Sequence, residues 1–491
     1  MRYPRSPRRV GAHAIDRRQA LRALGGLAGA AALSPWLPGC GDRAGGATAS
    51  LIPEDLDIDT VVVVMMENRS FDHYLGALSL VEGRAVDGLA PGFANPRRDG
   101  SLVAPFALDL RCVADPPHSW RAGRVQFNAG ANDGFVREYT DSVEEEGFAP
   151  ERGDAAMGYH TRAQLPIAYA LADQFAICDR WFCSVLGPTW PNRFYLHSAQ
   201  SNGRINNAFP DDLVNGFTWP TIYDRLNAAG IPWGAYWSDL SFLLLWGRLQ
   251  PQVNASGGIE QFFDDARSGR LPAVCSVEPT YFGAGQNDDH PPADFARGQA
   301  FLSSVIRAVA EGPQWARSLI VVTYDEHGGF FDHVPPPTVE DERAAQGFDQ
   351  LGIRVPAFVI SPWTRTGYVS SMLHEHASVP AFIEWLFGLE PLTVRDANAN
   401  FLLDTFDVDR IRRRDPRPAP ALPVLQIGPD PAAECIEFGF GPAEATGQVE
   451  LAAFVERAGL RELDRRAANL ERLENVYRVL EEMGGAVRAR R

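Results

Sequence analysis

The chain has 491 residues, of which 45% are hydrophobic and 22% charged. That composition is typical of a soluble globular protein with one or two sizeable cores, and it excludes a disordered chain. The sequence contains no lysine, so all 46 basic residues are arginines. Chemistry that needs a lysine amine, such as Schiff-base catalysis, is therefore excluded.

The first 40 residues are predicted to be an export signal. Arg17 and Arg18 precede an apolar run from Ala23 to Leu33, which is the layout of a twin-arginine signal. This run is too short for a transmembrane helix, which needs about 20 apolar residues. Cys40 ends a stretch that resembles a lipobox, so acylation of Cys40 and plain cleavage nearby are both open. We expect a protein that meets the export machinery and ends up periplasmic, secreted or lipid-anchored.

Charge is divided unevenly along the chain. Residues 1–40 hold seven arginines and one aspartate, a net charge of +6. Because the whole chain has a net charge of −16, the remaining residues carry a net charge of −22. A body this acidic is poorly suited to a nucleic acid, whose binding depends on neutralising phosphates. Five cysteines follow Cys40 without the spacing of a zinc site. An exported protein permits disulfides, but their connectivity stays open.

Residues 41–54 are predicted to be a linker and residues 55–406 the main domain. Three continuous apolar runs in this domain predict buried strands. They are Thr60 to Met66, Ser318 to Tyr324 and Val355 to Ser361. Helical patterns follow from Phe295 to Ala310 and from Ser378 to Phe387. Buried strands that alternate with helices predict an α/β fold with a mostly parallel central sheet and helices on both faces.

Beyond the main domain, the proline-rich stretch 407–430 is predicted to be a linker and residues 431–491 a helical C-terminal segment. Apolar residues recur there at steps of three and four. They are Leu460, Leu463, Ala467, Leu470, Leu473, Tyr477 and Leu480. This spacing places one apolar stripe along a helix. Packing of the stripe on the main domain and a dimer-forming coiled coil are both open.

Acidic pairs follow two of the predicted strands. Glu67 and Asn68 come after the first strand, and Asp325 and Glu326 come after the second. Parallel sheets collect functional groups at the carboxyl ends of their strands. Three carboxylates and an amide that meet there would repel one another unless a divalent cation lay between them. Either pair alone is a weak signal, because acidic residues also cap helices.

Loop histidines and one threonine extend this pattern. His118, His290 and His376 lie beside acidic or proline residues in predicted loops, and their repeated context favours a site over isolated surface residues. Thr189 lies between a glycine and several prolines, which restrict the backbone and hold the hydroxyl in one direction. Considered alone, Thr189 would be a helix N-cap.

Three long motifs, in this order, resemble the bacterial phosphoesterases that include non-zinc phospholipases C and a class of acid phosphatases. They are Glu67-Asn68-Arg69-Ser70-Phe71-Asp72-His73-Tyr74, Gly187-Pro188-Thr189 through Pro191-Asn192-Arg193, and Tyr324-Asp325-Glu326-His327-Gly328-Gly329-Phe330-Phe331-Asp332-His333-Val334. Weaker support comes from residues 132–135 and 376–378. The resemblance spans about residues 61–389 and implies an alkaline-phosphatase-like α/β core.

The resemblance also implies roles for individual residues. Glu67, Asn68, Asp325 and Glu326 would bind a divalent metal of unknown identity together with Thr189, the residue that would be transiently phosphorylated. Further residues would surround the phosphoryl group and the leaving group. They are His118, His290, His376 and Asp133, with Asn192 as a donor to the phosphoryl oxygens. Trp190 stands where many relatives have aspartate, and its bulk is expected to reshape the entrance of the site.

The resulting hypothesis is a metal-dependent phosphoesterase, a phospholipase C that cleaves phospholipid phosphodiester bonds through a phosphothreonine. Its substrate would bring it into peripheral contact with a membrane. An acid phosphatase acting on small phosphate monoesters shares every motif. A non-catalytic exported binding protein is the third alternative.

Overall fold

A central sheet and its surrounding helices make up most of this computed structural model, which describes residues 51–282, 285–428 and 467–488 together with Ala453 and Arg457. The predicted export signal and much of the predicted C-terminal segment lie outside the described residues. The strands are β1 (Thr60–Met66), β2 (Asn95–Pro96), β3 (Leu102–Val103), β4 (Phe106–Ala107), β5 (Gly158–Tyr159), β6 (Ala176–Cys178), β7 (Trp181–Phe182), β8 (Trp233–Trp237), β9 (Val274–Glu278), β10 (Ser318–Tyr324), β11 (Ala357–Ile360), β12 (Tyr368–Ser370), β13 (His374–Glu375), β14 (Leu425–Ile427) and β15 (Ala486–Arg488).

The helices alternate with these strands through the main domain. They are α1 (Phe71–Leu75), α2 (Ala77–Leu80), α3 (Trp120–Phe127), α4 (Phe135–Glu145), α5 (Pro166–Gln174), α6 (Thr189–Ser198), α7 (Ile222–Ala229), α8 (Gln250–Ser256), α9 (Ile259–Ser268), α10 (Phe295–Ala310), α11 (Ser378–Phe387), α12 (Val394–Asn398), α13 (Val408–Arg413) and α14 (Ala467–Glu482). The bounds of α10 and α11 match the predicted helices.

Seven strands form the central sheet in the order β12-β6-β11-β10-β1-β9-β8. Its strands run parallel except β11, which is antiparallel to both β10 and β6. Every residue of β1 and β10 is buried. Since alternate residues of a strand point to opposite faces, both faces of the sheet are covered. The predicted mostly parallel α/β fold is confirmed.

The register of β1 and β10 sets the position of the acidic pairs. Met66, the last residue of β1, is the partner of Tyr324, the last residue of β10. Glu67 and Asp325 are the next residues, so both leave the sheet at the same edge. Strand β9, on the other side of β1, ends at Glu278 near this edge. The expected convergence of carboxylates is therefore observed, with Glu278 in addition.

Helix α14 packs on the main domain through its apolar stripe. Leu473, Tyr477 and Leu480 are buried together with Ala300 of helix α10. Strand β15, which follows α14, pairs in parallel with β14. Over these residues the stripe packs within the chain, as one of the two alternatives predicted. The other stripe residues, Leu460 and Leu463, lie outside the described part of the chain.

The stretch predicted to be a proline-rich linker lies against the main domain instead. It contains helix α13 and strand β14. The Arg417 backbone carbonyl accepts from the indole N–H of Trp315 at 2.9 Å, and Arg307 donates to the carbonyl of Leu422 at 2.8 Å. Prolines prevent regular structure but do not prevent a chain from packing.

Within the described ranges, no helix has the length and apolar character to cross a bilayer.

Candidate active site

The turn after strand β1 carries the first acidic pair. Asn68 has a positive φ of 61°, a left-handed conformation that asparagine tolerates better than most residues. Its backbone N–H donates to Oδ1 of Asp325 at 3.0 Å. The same oxygen accepts the backbone N–H of Glu326 at 2.7 Å. One carboxylate oxygen of Asp325 therefore holds both acidic turns together.

Two glycines allow the loop after Asp325 to approach the neighbouring turns. A Cβ on Gly328 would lie 2.3 Å from the carbonyl oxygen of Asn68, and a Cβ on Gly329 would lie 2.6 Å from Cβ of Pro116. Both glycines have positive φ, 61° and 74°. No other residue fits either position without moving the backbone. The glycine pair thus brings the Asp325 loop against the loop that carries His118.

Several oxygens at this edge are buried and accept no hydrogen bond from the residues that the structure describes. They are Oδ1 of Asn68, Oδ2 of Asp325 and Oε1 of Glu326. Buried polar atoms are normally paired, so three such atoms together call for an explanation. Carboxylate and amide oxygens are the ligands that hard divalent cations prefer. The predicted ligands therefore fit a divalent cation, whose identity their chemistry leaves open.

The pKa values of the carboxyl groups at the acidic edge favour a cation bound between them. Burial, with the nearby charge of Glu67, raises the pKa of Asp325 to about 8. Burial would also raise the pKa of Glu326, but His118 and His327 outweigh burial and lower it. A buried carboxylate with a raised pKa ionises only when a cation compensates its charge.

Arg193 supplies one such charge from helix α6. Its Nη2 donates to Oε1 of Glu67 at 2.9 Å, and its Nε lies 3.8 Å from Oδ2 of Asp325. Its Nη1 donates to the hydroxyl of Tyr281 at 3.1 Å, and that hydroxyl donates to Oε2 of Glu278 at 3.1 Å. The guanidinium therefore links helix α6 to the ends of strands β1, β10 and β9.

Thr189 begins helix α6 and is only 4% exposed. It precedes Arg193 by four residues, so the two side chains lie on the same face of the helix. Arg193 anchors that face of the helix to Glu67 and Asp325. The helix N-terminus also favours a negatively charged group. The N-cap of this helix is Pro188, and Thr189 is its first residue. The interpretation of Thr189 as an N-cap is therefore wrong.

His118 and His290 form a pair that Asp115 bridges. Asp115 Oδ1 lies 3.5 Å from Nδ1 of His118, and its Oδ2 lies 3.9 Å from Nε2 of His290. The two imidazole rings pack edge to face with centroids 5.7 Å apart. His118 Nε2 lies 3.8 Å from Oε1 of Glu326 and 3.3 Å from Nδ2 of Asn68. Two of the three predicted histidines therefore lie beside the acidic edge.

The charge state of His118 follows from its neighbours. Burial alone would favour the neutral ring, but the carboxylates of Glu326 and Asp115 outweigh burial and raise the pKa of His118 to about 9. Its Nδ1 donates to the carbonyl of Pro116 at 2.8 Å. His118 is therefore oriented by the backbone of its own loop, with Nε2 toward the acidic edge.

His376 occupies a different position from the one predicted. Its Nε2 donates to the backbone carbonyl of Asp325 at 2.6 Å, and its Nδ1 accepts the indole N–H of Trp181 at 3.3 Å. Burial lowers the pKa of His376 to about 3. Both ring nitrogens of His376 are thus hydrogen-bonded, and the ring is neutral and buried. His376 supports the backbone of Asp325, and contact with a phosphoryl group is not supported.

Asn192 and Asp133 also differ from their predicted roles. The Asn192 side chain accepts from the N–H of Val185 at 3.0 Å and donates to the carbonyl of Gly187 at 2.9 Å. Its amide therefore shapes the loop before Thr189 and has no donor left for a substrate. The side chain of Asp133, just before helix α4, is 39% exposed, and its Oδ1 lies 3.4 Å from Nη2 of Arg137 in that helix. Its carboxylate belongs to that surface pair and not to the acidic edge.

Comparison with known proteins agrees with this geometry. A model of the Phosphoesterase family matches residues 58–390. The chain belongs to the phosphoesterase family. Non-specific phospholipase C1 of Arabidopsis thaliana is 37% identical over 388 residues, covering 73% of this chain and 72% of that protein. Phospholipase C A of Mycobacterium tuberculosis is 32% identical over 440 residues, covering 76% of this chain and 81% of that protein.

Among solved structures, a phosphonate monoester hydrolase of Agrobacterium radiobacter aligns with a TM-score of 0.34 and 10% identity, covering 87% of this chain and 96% of that chain. The predicted family is confirmed by the family model and by the sequence relatives. This phosphoesterase is a phosphoric ester hydrolase, as predicted.

Trp190 of this phosphoesterase does not reshape the entrance of the site, contrary to expectation. It is fully buried, and its ring packs against Phe194 and Phe242 with centroid distances of 6.4 and 6.0 Å. A large aromatic side chain gains more from burial than from exposure beside a polar site. Trp190 therefore anchors helix α6 in the core behind Thr189.

Three residues of the phosphoesterase site were not predicted from the sequence. Arg193 lies within the second motif and Asp115 lies outside all of them, and only contacts across the fold give these two residues their roles. The spacing of four between Thr189 and Arg193 was a usable signal, because it places both on one helix face. His327 is the third; its Nδ1 lies 3.1 Å from Oε2 of Glu326 and its Nε2 lies 2.8 Å from Oε1 of Gln126. It orients Glu326.

Proposed function

We propose that this phosphoesterase is an exported, metal-dependent phospholipase C. The observation that carries the reaction is the group of buried oxygens of Asn68, Asp325 and Glu326 that accept no hydrogen bond from the described part of the chain. Arg193 connects this group to the helix that begins at Thr189. Relatives named phospholipase C, at 32–37% identity over most of the chain, support the lipid substrate.

The metal-binding residues would be Glu67, Asn68, Asp325 and Glu326, together with the hydroxyl of Thr189. A divalent cation held there supplies positive charge that lowers the pKa of the hydroxyl and stabilises negative charge as it develops. Arg193 holds Glu67 in place through their 2.9 Å contact. His376 and His327 hold Asp325 and Glu326 from the side away from the substrate.

Thr189 would attack the phosphorus atom. A bond forms between Oγ1 of Thr189 and phosphorus, and the bond from phosphorus to the diacylglycerol oxygen breaks. The N-terminus of helix α6 and the nearby guanidinium of Arg193 favour the negative charge of the phosphoryl group. Water then attacks phosphothreonine, which releases the phosphorylated head group and restores the hydroxyl. Each step needs positioning and charge more than covalent help from other side chains.

The departing oxygen of diacylglycerol needs a proton. His118 and His290 are the candidates, because both lie beside the acidic edge and Asp115 contacts both rings. Burial lowers the pKa of His118, but Glu326 and the shared carboxylate of Asp115 outweigh burial and raise it to about 9, which favours the protonated ring. Proton donation to a leaving group contributes about 10²- to 10⁴-fold to the rate of such reactions.

Export is supported by the chemistry of one cysteine. Cys112 is disulfide-bonded, whereas Cys178, Cys183 and Cys275 are free and buried. Disulfides persist in oxidising compartments and are rare in the cytosol. This agrees with the twin-arginine pattern at Arg17 and Arg18.

One experiment tests the activity. The purified protein is incubated with phosphatidylcholine vesicles and, separately, with p-nitrophenyl phosphate, each with and without a chelator. We expect release of diacylglycerol and phosphocholine that the chelator abolishes and added divalent ions restore. Hydrolysis of the aryl phosphate without any diacylglycerol would instead establish an acid phosphatase. Inactivity on both substrates would favour a binding protein, and full activity with the chelator would refute the metal requirement.

A further inference from the structure

A largely apolar pocket of about 250 Å³ lies next to the site. Its lining includes five apolar side chains and the ring of Tyr139. The apolar residues are Phe106, Leu108, Leu110, Val113 and Ala155. Of the charged side chains around it, Asp154 accepts from Arg97 at 2.6 Å, and the guanidinium of Arg152 lies over the ring of Phe148. These two charges are engaged elsewhere. Glu151 also lines the pocket and is exposed, but apolar side chains make up most of the wall, which favours an apolar ligand.

The pocket is joined to the site by consecutive residues. Ala114 lines the pocket, and the next residue, Asp115, contacts His118 and His290. The hydroxyl of Tyr139 donates to the carbonyl of Ala114, which ties the pocket wall to this loop. On another side, Phe330 packs with Leu108 and Val113. Phe330 belongs to the loop that follows Asp325, so the pocket shares walls with both halves of the site.

Apolar side chains remain exposed at this pocket. Phe106 is 37% exposed and Leu110 is 36% exposed. Leu102, which precedes them in the same segment, is 66% exposed. Exposed apolar side chains grouped in one segment beside a pocket mark a surface for an apolar partner. A soluble phosphate ester has no part that would need such a surface.

We infer that this pocket binds an acyl chain of the phospholipid whose phosphodiester group lies at Thr189. The inference rests on the proposed phospholipase C activity and names the part of the substrate that the chain recognises besides the head group. The volume suits on the order of eight methylene groups, at about 30 Å³ each, similar to the share of a water molecule in the liquid. Burial of apolar surface alone would hold the acyl chain. The pocket would therefore not distinguish one phospholipid head group from another.

The test compares pocket variants on substrates that differ only in acyl length. Ala155→Phe fills the pocket and Leu110→Asp places a charge at it. Ala228→Phe on the exposed side of helix α7 and Val214→Asp, at a residue 74% exposed, are the matched controls. The rates are measured on dihexanoyl and dipalmitoyl phosphatidylcholine in mixed micelles, and on p-nitrophenylphosphocholine, which has no acyl chain. Thermal melting of each variant reports whether it folds.

We expect both pocket variants to lower kcat/KM on the dipalmitoyl lipid by about tenfold or more, as loss of apolar contacts in a pocket does. The dihexanoyl lipid should be affected less, and p-nitrophenylphosphocholine should be hydrolysed at the wild-type rate by all variants. The controls should match the wild type on all three substrates.

Two outcomes overturn the inference. Equal loss on all substrates would mean that the variants disturb the site and not an acyl pocket. Unchanged rates combined with a lower melting temperature would mean that a segment of this chain outside the described residues fills the pocket. Failure of the proposed function looks different, because the wild type itself would then release no diacylglycerol from either lipid.

Discussion

Nη2 of Arg193 donates to Oε1 of Glu67 at 2.9 Å, and both side chains are only 1% exposed. The two residues are 126 positions apart in the chain. Their contact joins the helix that begins at Thr189 to the turn after strand β1. A buried pair of this kind contributes geometry more than stability, since desolvation offsets much of the attraction. It fixes the helix that carries the nucleophile candidate against the turn that carries Glu67.

Breaking this pair should therefore be costly. Arg193→Ala leaves Glu67 buried without its cation, and we expect the free energy of unfolding to fall by about 3–5 kcal/mol. Urea denaturation measures the change. Arg267→Ala is the control, because Arg267 pairs with Asp264 at 3.1 Å on the surface, with side chains 60% and 62% exposed, where a pair contributes about 0–1 kcal/mol. Equal effects of the two substitutions would contradict the anchoring role.

Thr189→Ala should remove turnover without unfolding the protein. The substitution deletes the attacking hydroxyl, and loss of a nucleophile lowers kcat by about a thousandfold or more. Activity on phosphatidylcholine is measured at matched metal content, and the melting temperature is followed alongside. Thr189→Ser retains a hydroxyl and should keep measurable turnover. Near-normal activity of the alanine variant would reject the nucleophile assignment.

Asp325→Asn should weaken metal binding. The substitution removes one negative charge from the acidic edge and keeps the shape of the side chain, so its effect reports on charge and ligand strength. Elemental analysis of dialysed protein gives the metal content per chain, and we expect a substoichiometric value. Asp264→Asn, at an exposed carboxylate, should leave the content unchanged. A wild-type content in Asp325→Asn would count against a ligand role.

Acid should destabilise the protein through His197, which lies in helix α6 and is none of the predicted metal ligands. Burial lowers the pKa of His197 from 6.5 to about 3 in the folded protein. The unfolded state therefore binds more protons, so this contribution is present above about pH 6.5 and is lost as the pH falls toward 3. The loss approaches about 1.4 kcal/mol per pH unit.

His197→Phe tests this assignment, because phenylalanine fills the same aromatic surroundings of Tyr223, Phe242 and Trp246 without a titrating group. Urea denaturation is measured between pH 7 and pH 4 for both proteins. Stability of the variant should fall less steeply than that of the wild type in this range. Parallel pH profiles would show that His197 does not titrate on unfolding.

Local sequence determined a large part of this molecule. The runs from Thr60 to Met66 and from Ser318 to Tyr324 are strands with the predicted bounds, because β-branched and apolar residues in an unbroken run suit a strand buried on both faces. Helices α10 and α11 match for a similar reason, since their apolar period of 3.6 is a property of neighbouring residues. The proximity of Glu67 and Asp325 could be predicted with one assumption, which was that strands β1 and β10 are neighbours in the sheet.

Only the tertiary structure decided which polar side chains are available for chemistry. His376 and Asn192 stand in motifs as prominent as that of His118, yet Trp181 and the backbone of Asp325 engage both nitrogens of His376, and the loop before Thr189 engages the amide of Asn192. The side chain of Trp190 is likewise buried in the core. Hydrogen-bond partners and burial come from residues far away along the chain, so they follow from packing rather than from the local pattern that identifies a motif.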